Sequence, residues 1–133
     1  MIVADTNLIA YFLIKSDFTP DAHAVYQKDY EWIAPLLWRS ELRNVLIQSL
    51  RHALLSLDEI LHVMQRAEGL MRDSSYQMDS SRILQLAANS GCSAYDCEFV
   101  VLARDLGVPL VTSDRVVIEK FKPTAVSMRA FCS

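Results

Sequence analysis

Apolar residues along this chain come in two kinds of run. Ile2-Val3-Ala4, Trp32-Ile33-Ala34 and Leu110-Val111-Thr112 are short and do not alternate with polar positions, as expected of strands buried on both faces. The stretches between them are longer and spaced for helices. Within 36–52, Trp38, Leu42, Val45, Leu46 and Leu50 fall on one helical stripe. Capping and stop residues set most of the boundaries. Thr19-Pro20 opens a helix through about Lys28, and Pro35 stops the second strand. Ser56 to Glu59 is a capping box for a helix to about Arg72, and Asp79 caps one that ends at Gly91. Ser93 opens a helix that ends at Gly107, with Pro109 just beyond. A helix over 7–15, a short one from Asp114, and weaker strands over 76–78 and 124–128 complete the pattern. It predicts a three-layer α/β/α sandwich around a mainly parallel sheet of about five strands, in one domain over 1–133.

Composition changes this picture little. With 52% hydrophobic residues, three glycines and four prolines, disorder and a loop-rich all-β fold are both disfavoured. No apolar run approaches the ~18 residues of a membrane span, and Asp5 interrupts the only stretch that resembles a leader. Three cysteines without a C-x-x-C pair fit a reducing cytoplasm. The net charge of −3 argues against a general nucleic-acid coat protein, and leaves open an enzyme that needs only a local site.

The acids carry the chemistry. In open parallel sheets ligands bind beyond the carboxyl ends of the strands. Asp5 follows the first strand there, and Asp114 follows Leu110-Val111-Thr112 in the same way. Glu41 stands three residues after Trp38 and four before Val45, beside the apolar stripe of its helix. Asp96 stands three before Phe99 and four before Val100. Most other acids fall in loops, first turns or polar faces. Each of the four also has a plain structural explanation: Asp96 as capping-box partner of Ser93, Asp114 as a helix-start residue, Glu41 as a solvated stripe-edge residue. Together they read as four carboxylates in near-core company, which is unfavourable without cations or protonation. Magnesium or manganese, which prefer oxygen ligands, are the natural counterions.

Three segments in this order, VADTNLIAYFL, APLLWRSELRNVL and SAYDCEFVVLARDLGVPLVTSD, resemble a PIN-domain ribonuclease. The size and helix-rich middle are similar to the VapC-type toxins of bacterial and archaeal toxin–antitoxin pairs. The resemblance implies that Asp5, Glu41, Asp96 and Asp114 form one catalytic metal site holding one or two Mg2+ or Mn2+ ions. It gives Asn7 and Thr112 a supporting role, with Thr6 and Ser113 as neighbours. After T-x-D, where some relatives place a further acid, this chain runs Arg115-Val116-Val117-Ile118. The implied activity is internal hydrolysis of RNA leaving a 5′-phosphate. The implied partners are RNA, a cognate antitoxin protein and a second copy in a homodimer, with helices over 7–28 and 36–72 as surfaces. Arg39, Arg43 and Arg115 are the basic residues nearest the motifs.

Rival readings fit less well. A receiver-like phosphoacceptor domain wants paired acids after the first strand and a lysine ending the last, whereas Asp5 is single and the chain there reads Ala125-Val126-Ser127-Met128. A haloacid-dehalogenase-like phosphatase wants D-x-D, and here Asn7 takes the second place. His23, His52 and His62 show no motif spacing for a metal-free ribonuclease. The remaining alternative is a PIN-fold module that binds RNA or protein without cleaving.

Overall fold

The computed structural model describes residues 1–133. Five short strands, β1 (Ile2–Ala4), β2 (Trp32–Pro35), β3 (Ser75–Tyr76), β4 (Leu110–Val111) and β5 (Ala125–Val126), form one sheet in the order β3-β2-β1-β4-β5. Every neighbouring pair is parallel. Eight helices surround it: α1 (Thr6–Leu13), α2 (Thr19–Lys28), α3 (Trp38–Arg51), α4 (Leu57–Leu70), α5 (Ser80–Ser90), α6 (Ala94–Leu106), α7 (Arg115–Lys120) and α8 (Met128–Cys132). Helix α6 lies across β2, β1 and β4 with α5 packed on it, while α1 packs with α2, α3 and α4. The architecture is the three-layer α/β/α sandwich that the pattern of runs predicts.

Unbroken apolar strands follow from this burial. All of β1 and β2 is buried, so neither strand can spare a polar face. Phe12 of α1 meets the Trp32 ring edge-on at 5.1 Å and Tyr26 of α2 at 4.8 Å, locking two helices to the same strand. Only two polar residues are buried, Thr6 and Thr112. Both lie at the carboxyl end of the sheet.

Several sequence expectations shift. The last strand is only Ala125–Val126. Ser127 caps α8 through the Ala130 N–H at 3.1 Å, so the expected strand over 124–128 gives way to a helix. Five residues are too few for a periodic signal, and the S-M-R-A cap was the only cue. Pro35 ends β2 from inside the strand, β3 pairs over 75–76 rather than 76–78, and α1 runs over 6–13 rather than 7–15. Thr19 is the first residue of α2 rather than its cap; its hydroxyl donates to the Tyr11 carbonyl at 2.8 Å. No helix is long and apolar enough to cross a membrane.

Candidate functional site

The sheet order places β1 in the centre. From it the chain builds outward to β2 and β3 on one side, then crosses to β4 and β5 on the other. The boundary between β1 and β4 is thus the switch point of the sheet, where open α/β folds leave a crevice at the strand ends. Ala4 pairs with Val111, so the residues that follow, Asp5 and Thr112, emerge side by side.

Asp5 turns strand into helix in a single residue. Its backbone is extended, and its Oδ1 accepts the Thr6 N–H at 2.8 Å as the N-cap of α1, where a carboxylate is favoured by the helix dipole. Its Oδ2 accepts from the Thr112 hydroxyl and from Asn7 Nδ2 at 3.3 Å. The Thr112 oxygen in turn accepts the Asp114 N–H at 3.0 Å, and Asn7 Oδ1 accepts the Ser113 N–H at 3.3 Å. Two polar side chains therefore stitch the end of β1 to the turn after β4. Ser113 contributes its backbone to that network.

The other acids arrive from three further elements. Glu41 lies in the first turn of α3, where its Oε1 accepts from the Thr6 hydroxyl at 2.7 Å. Asp96 lies in the first turn of α6, its N–H held by Ser93 Oγ at 3.1 Å. Asp114 caps α7 through Oδ1, which accepts from the Val116 and Val117 N–H groups at 2.9 and 3.2 Å. The plain structural explanations of Asp96 and Asp114 thus hold for one group on each residue, and Asp114 Oδ2 makes no hydrogen bond within the protein. Each acid sits at or just inside a helix start; Asp5 and Asp114 are caps themselves, Asp96 follows the Ser93 cap, and Glu41 is oriented by Thr6 because α3 has no side-chain cap.

Their mutual charge reveals how they are arranged. Burial raises Asp5 above the ordinary aspartate value, opposed by the Thr112 and Thr6 hydrogen bonds and reinforced by the charges of Asp96 and Asp114. Burial likewise raises Glu41, against the Thr6 hydrogen bond, with Asp5, Asp96 and Glu98 adding to the rise. Asp96 is raised by burial and by Asp114, against its bond to Ser93. Asp5 and Asp96 thus each feel the charge of Asp114, and Glu41 feels those of Asp5 and Asp96. All three shifted acids favour the protonated form in the fold. Their stabilising contribution is present below the unfolded values, 3.8 for Asp and 4.5 for Glu, and is lost as pH rises through the higher native values. In EDTA, the melting temperature of Asp96→Asn is thus expected to match wild type near about pH 4 and to exceed it increasingly toward about pH 7. A gap that does not change with pH would sink this reading.

Two residues carry more of the site than the sequence indicates. Thr6 is buried and orients Glu41. Glu98 lies close enough to raise Glu41 and is itself raised by burial. It follows Asp96 by two positions, which on a helix does not read as a shared face, so only the fold, which brings the starts of α3 and α6 to one groove, exposes its role. The nearby arginines do not neutralise the cluster. The Arg39 guanidinium lies 5.7 Å from the Trp38 ring, its buried Nε has no hydrogen-bond partner, and neither Arg43 nor Arg115 pairs with a carboxylate. No three of these acids close into a ready metal cage. The hydrogen bonds to Thr6, Thr112 and the α7 amides orient them individually. The fit to a hard divalent cation lies in the donor chemistry, all oxygen and uncompensated by protein cations.

No curated protein sequence matches it significantly. Among solved structures, that of PAE2754 from Pyrobaculum aerophilum superposes with a TM-score of 0.72 at 19% identity, covering 98% of this chain and 92% of that one. This likeness shows a shared fold. The sequence also matches the PIN domain over residues 2–122, a span running from β1 through all four acids to the end of α7. With the match extending over most of the sheet as well as the site, the chain belongs to the PIN-domain family, whose fold is of the nuclease type.

Proposed function

We propose that residues 1–133 form a single divalent-metal-dependent endoribonuclease domain, the VapC-type toxin of a toxin–antitoxin pair. One observation carries the reading. The two polar residues buried in the core, Thr6 and Thr112, both donate through their hydroxyls to candidate acids, to Glu41 and Asp5. Burying a hydroxyl is unfavourable unless it is bonded. Here both are spent on holding carboxylates whose own burial is unfavourable. A fold has little structural reason to do this, and a metal-dependent site needs it.

In this reading Asp5, Glu41, Asp96 and Asp114 are the catalytic and metal-holding residues. Asn7 and Thr112 fix Asp5 and the β4 turn in register. Magnesium or manganese, as one or two ions, would be held by these carboxylates and when bound would supply Lewis acidity toward water and phosphate oxygens. Asp5, gripped by three donors, is the rigid member of the set; Asp114, with Oδ2 free, and Asp96 are the more adjustable ones. The four acids more than account for the net charge of −3, so the acidic balance of the chain does not oppose binding of RNA once the site is neutralised.

A cognate antitoxin and a homodimer are the proposed protein partners. An apolar groove of about 490 Å³ between α3 and α4, lined by Leu46, Ile47, Ile60, Leu61 and Met64, supports them, as do the exposed Leu54 and Leu57. The test of the activity is incubation of the purified, partner-free protein with total cellular RNA in magnesium, manganese or EDTA. Discrete cuts that vanish in EDTA and leave 5′-phosphate ends are expected. A folded protein that binds RNA yet cuts none of it under either metal would favour the non-cleaving module instead.

A further inference from the structure

Helix α6 begins with Ser93 as its cap, so Cys92 stands just before the cap and Cys97 is the fourth residue of the helix. Side chains at these two positions pack against each other where a chain enters a helix, a contact known as the hydrophobic staple. Here both members are thiols. Cys97 is wholly buried, Cys92 is half-buried against the same core, and both are free. Ser90, the last residue of α5, ties the two together: its Oγ accepts the Cys92 N–H at 3.2 Å and lies 3.8 Å from Cys97 Sγ. The thiols are near enough for one to act on the other's charge. Asp96 directly precedes Cys97, with its N–H held by Ser93 Oγ at 3.1 Å.

We propose that Cys92 and Cys97 are a modification site, closed by peroxide into a reversible disulfide that shifts Asp96 within the acid cluster and weakens the cluster's hold on divalent metal. The second half rests on the metal-holding reading of the four acids. A staple needs only two apolar groups; two thiols can in addition be joined covalently. A disulfide requires its sulfurs far closer than a packing contact. Closing the bond therefore draws Cys97 and the turn before it toward Cys92, and away from the Ser90 hydroxyl. Asp96 lies inside the ring so formed, with Ser93, Ala94 and Tyr95, and moves with its ends. Its charge acts on Asp5 and Glu41, so a shift of this one carboxyl alters the donor set as a whole.

Cys92, the more exposed thiol, meets the peroxide first. Its sulfur attacks one oxygen, the O–O bond breaks, and the other oxygen leaves as water with the thiol proton, giving a sulfenic acid. The Cys97 sulfur then attacks the Cys92 sulfur. The S–O bond breaks, and the hydroxyl leaves as a second water with the Cys97 proton. Two thiols have lost two electrons and two protons, and hydrogen peroxide has become two waters. A small dithiol restores the pair by exchange and is itself oxidised to a disulfide. Cys132 lies on α8, packed on α2, outside this arrangement.

The test uses the Cys132→Ser protein, treated with hydrogen peroxide and digested with trypsin. Cleavage after Arg82 and Arg104 leaves both cysteines on one peptide. That peptide is expected to be two hydrogens lighter than from the reduced protein, and dithiothreitol should restore its mass. Manganese titrated calorimetrically into the oxidised, folded protein should bind about tenfold or more weaker than into the reduced one, the scale of disturbing groups that orient metal ligands. Adding Cys92→Ala keeps the apolar staple, and peroxide should then leave manganese binding unchanged. A peptide that gains oxygen without losing hydrogens, a disulfide that does not alter manganese binding, or a weakening that persists in Cys92→Ala would overturn the proposal. A disulfide that forms in a protein whose reduced form binds no manganese would instead sink the metal reading of the acids, and the second half of the proposal with it.

Discussion

Replacing Asp5 by Asn is expected to reduce metal-dependent RNA cleavage by about 10³-fold or more, the scale of losing a core member of a catalytic set, and at the same time to stabilise the metal-free fold. The two effects share one origin. Asp5 is half-buried and ringed by like charges from Asp96 and Asp114, and burial already raises its carboxyl. An amide keeps the shape and can still accept the Thr6 N–H, but carries no charge to be desolvated. The gain is expected at about 0.5–2 kcal/mol, typical of relieving a site built for function rather than stability. It is partly offset because the amide nitrogen then faces the Thr112 hydroxyl and Asn7 Nδ2, both of which donate to Asp5 Oδ2. Saturating magnesium should reverse the order. Wild type gains about 2.7 kcal/mol at a hundredfold excess over Kd, and the variant gains much less. Thermal unfolding in EDTA and in magnesium reads both arms. A variant less stable than wild type in EDTA, or one stabilised equally by metal, would remove Asp5 from the proposed metal set.

The largest loss of stability is expected from Trp38→Ala. Trp38 opens α3 with no exposed surface, and its Nε1–H donates to Ser75 Oγ at 2.7 Å. It thereby fastens the helix that carries Glu41 to the edge strand β3, and Arg39 lies over its ring. Truncation removes the packing and leaves a cavity, at a cost of about 3–5 kcal/mol. For a domain of this size that lowers the melting temperature by roughly 10–25 °C. Trp38→Phe keeps most of the volume and loses the bond to Ser75, so about 1–2 kcal/mol is expected. Chemical denaturation of both variants checks the pair of values. If Phe proves as harmful as Ala, the hydrogen bond and the anchoring of β3 dominate; if Ala costs under about 1 kcal/mol, the described packing of Trp38 is wrong.

Much of the architecture is legible in the sequence because burial leaves direct marks there. Strands covered on both faces must be apolar throughout, which is why β1, β2 and β4 stand out. Helix starts need side-chain acceptors for free amides, and Ser56, Asp79, Ser93 and Asp114 provide them where expected. The elements misread are those whose stability is not local. β3 and β5 are two residues each, like β4, but unlike it they are only partly buried, so no fully apolar run marks them and they are held by pairing with a neighbour. α8 rests on α2, through Lys28 to the Phe131 carbonyl and Arg129 to Asp21, contacts between residues far apart in the chain.

The candidate site divides along the same line. The sequence by itself determined which acids stand at strand ends and helix starts, since a carboxylate beside apolar residues is conspicuous wherever the chain folds. Only the tertiary structure decided that these acids come within reach of one another's charge, that Thr6 holds Glu41 across 35 positions of sequence, and that Glu98 lies near Glu41 and lines a groove. Each of those relations depends on how α3 and α6 are set against the sheet. Caps and apolar runs act within a few residues and leave a local trace; charge coupling and shared cavities act through space, between residues whose neighbours in the chain carry no sign of them.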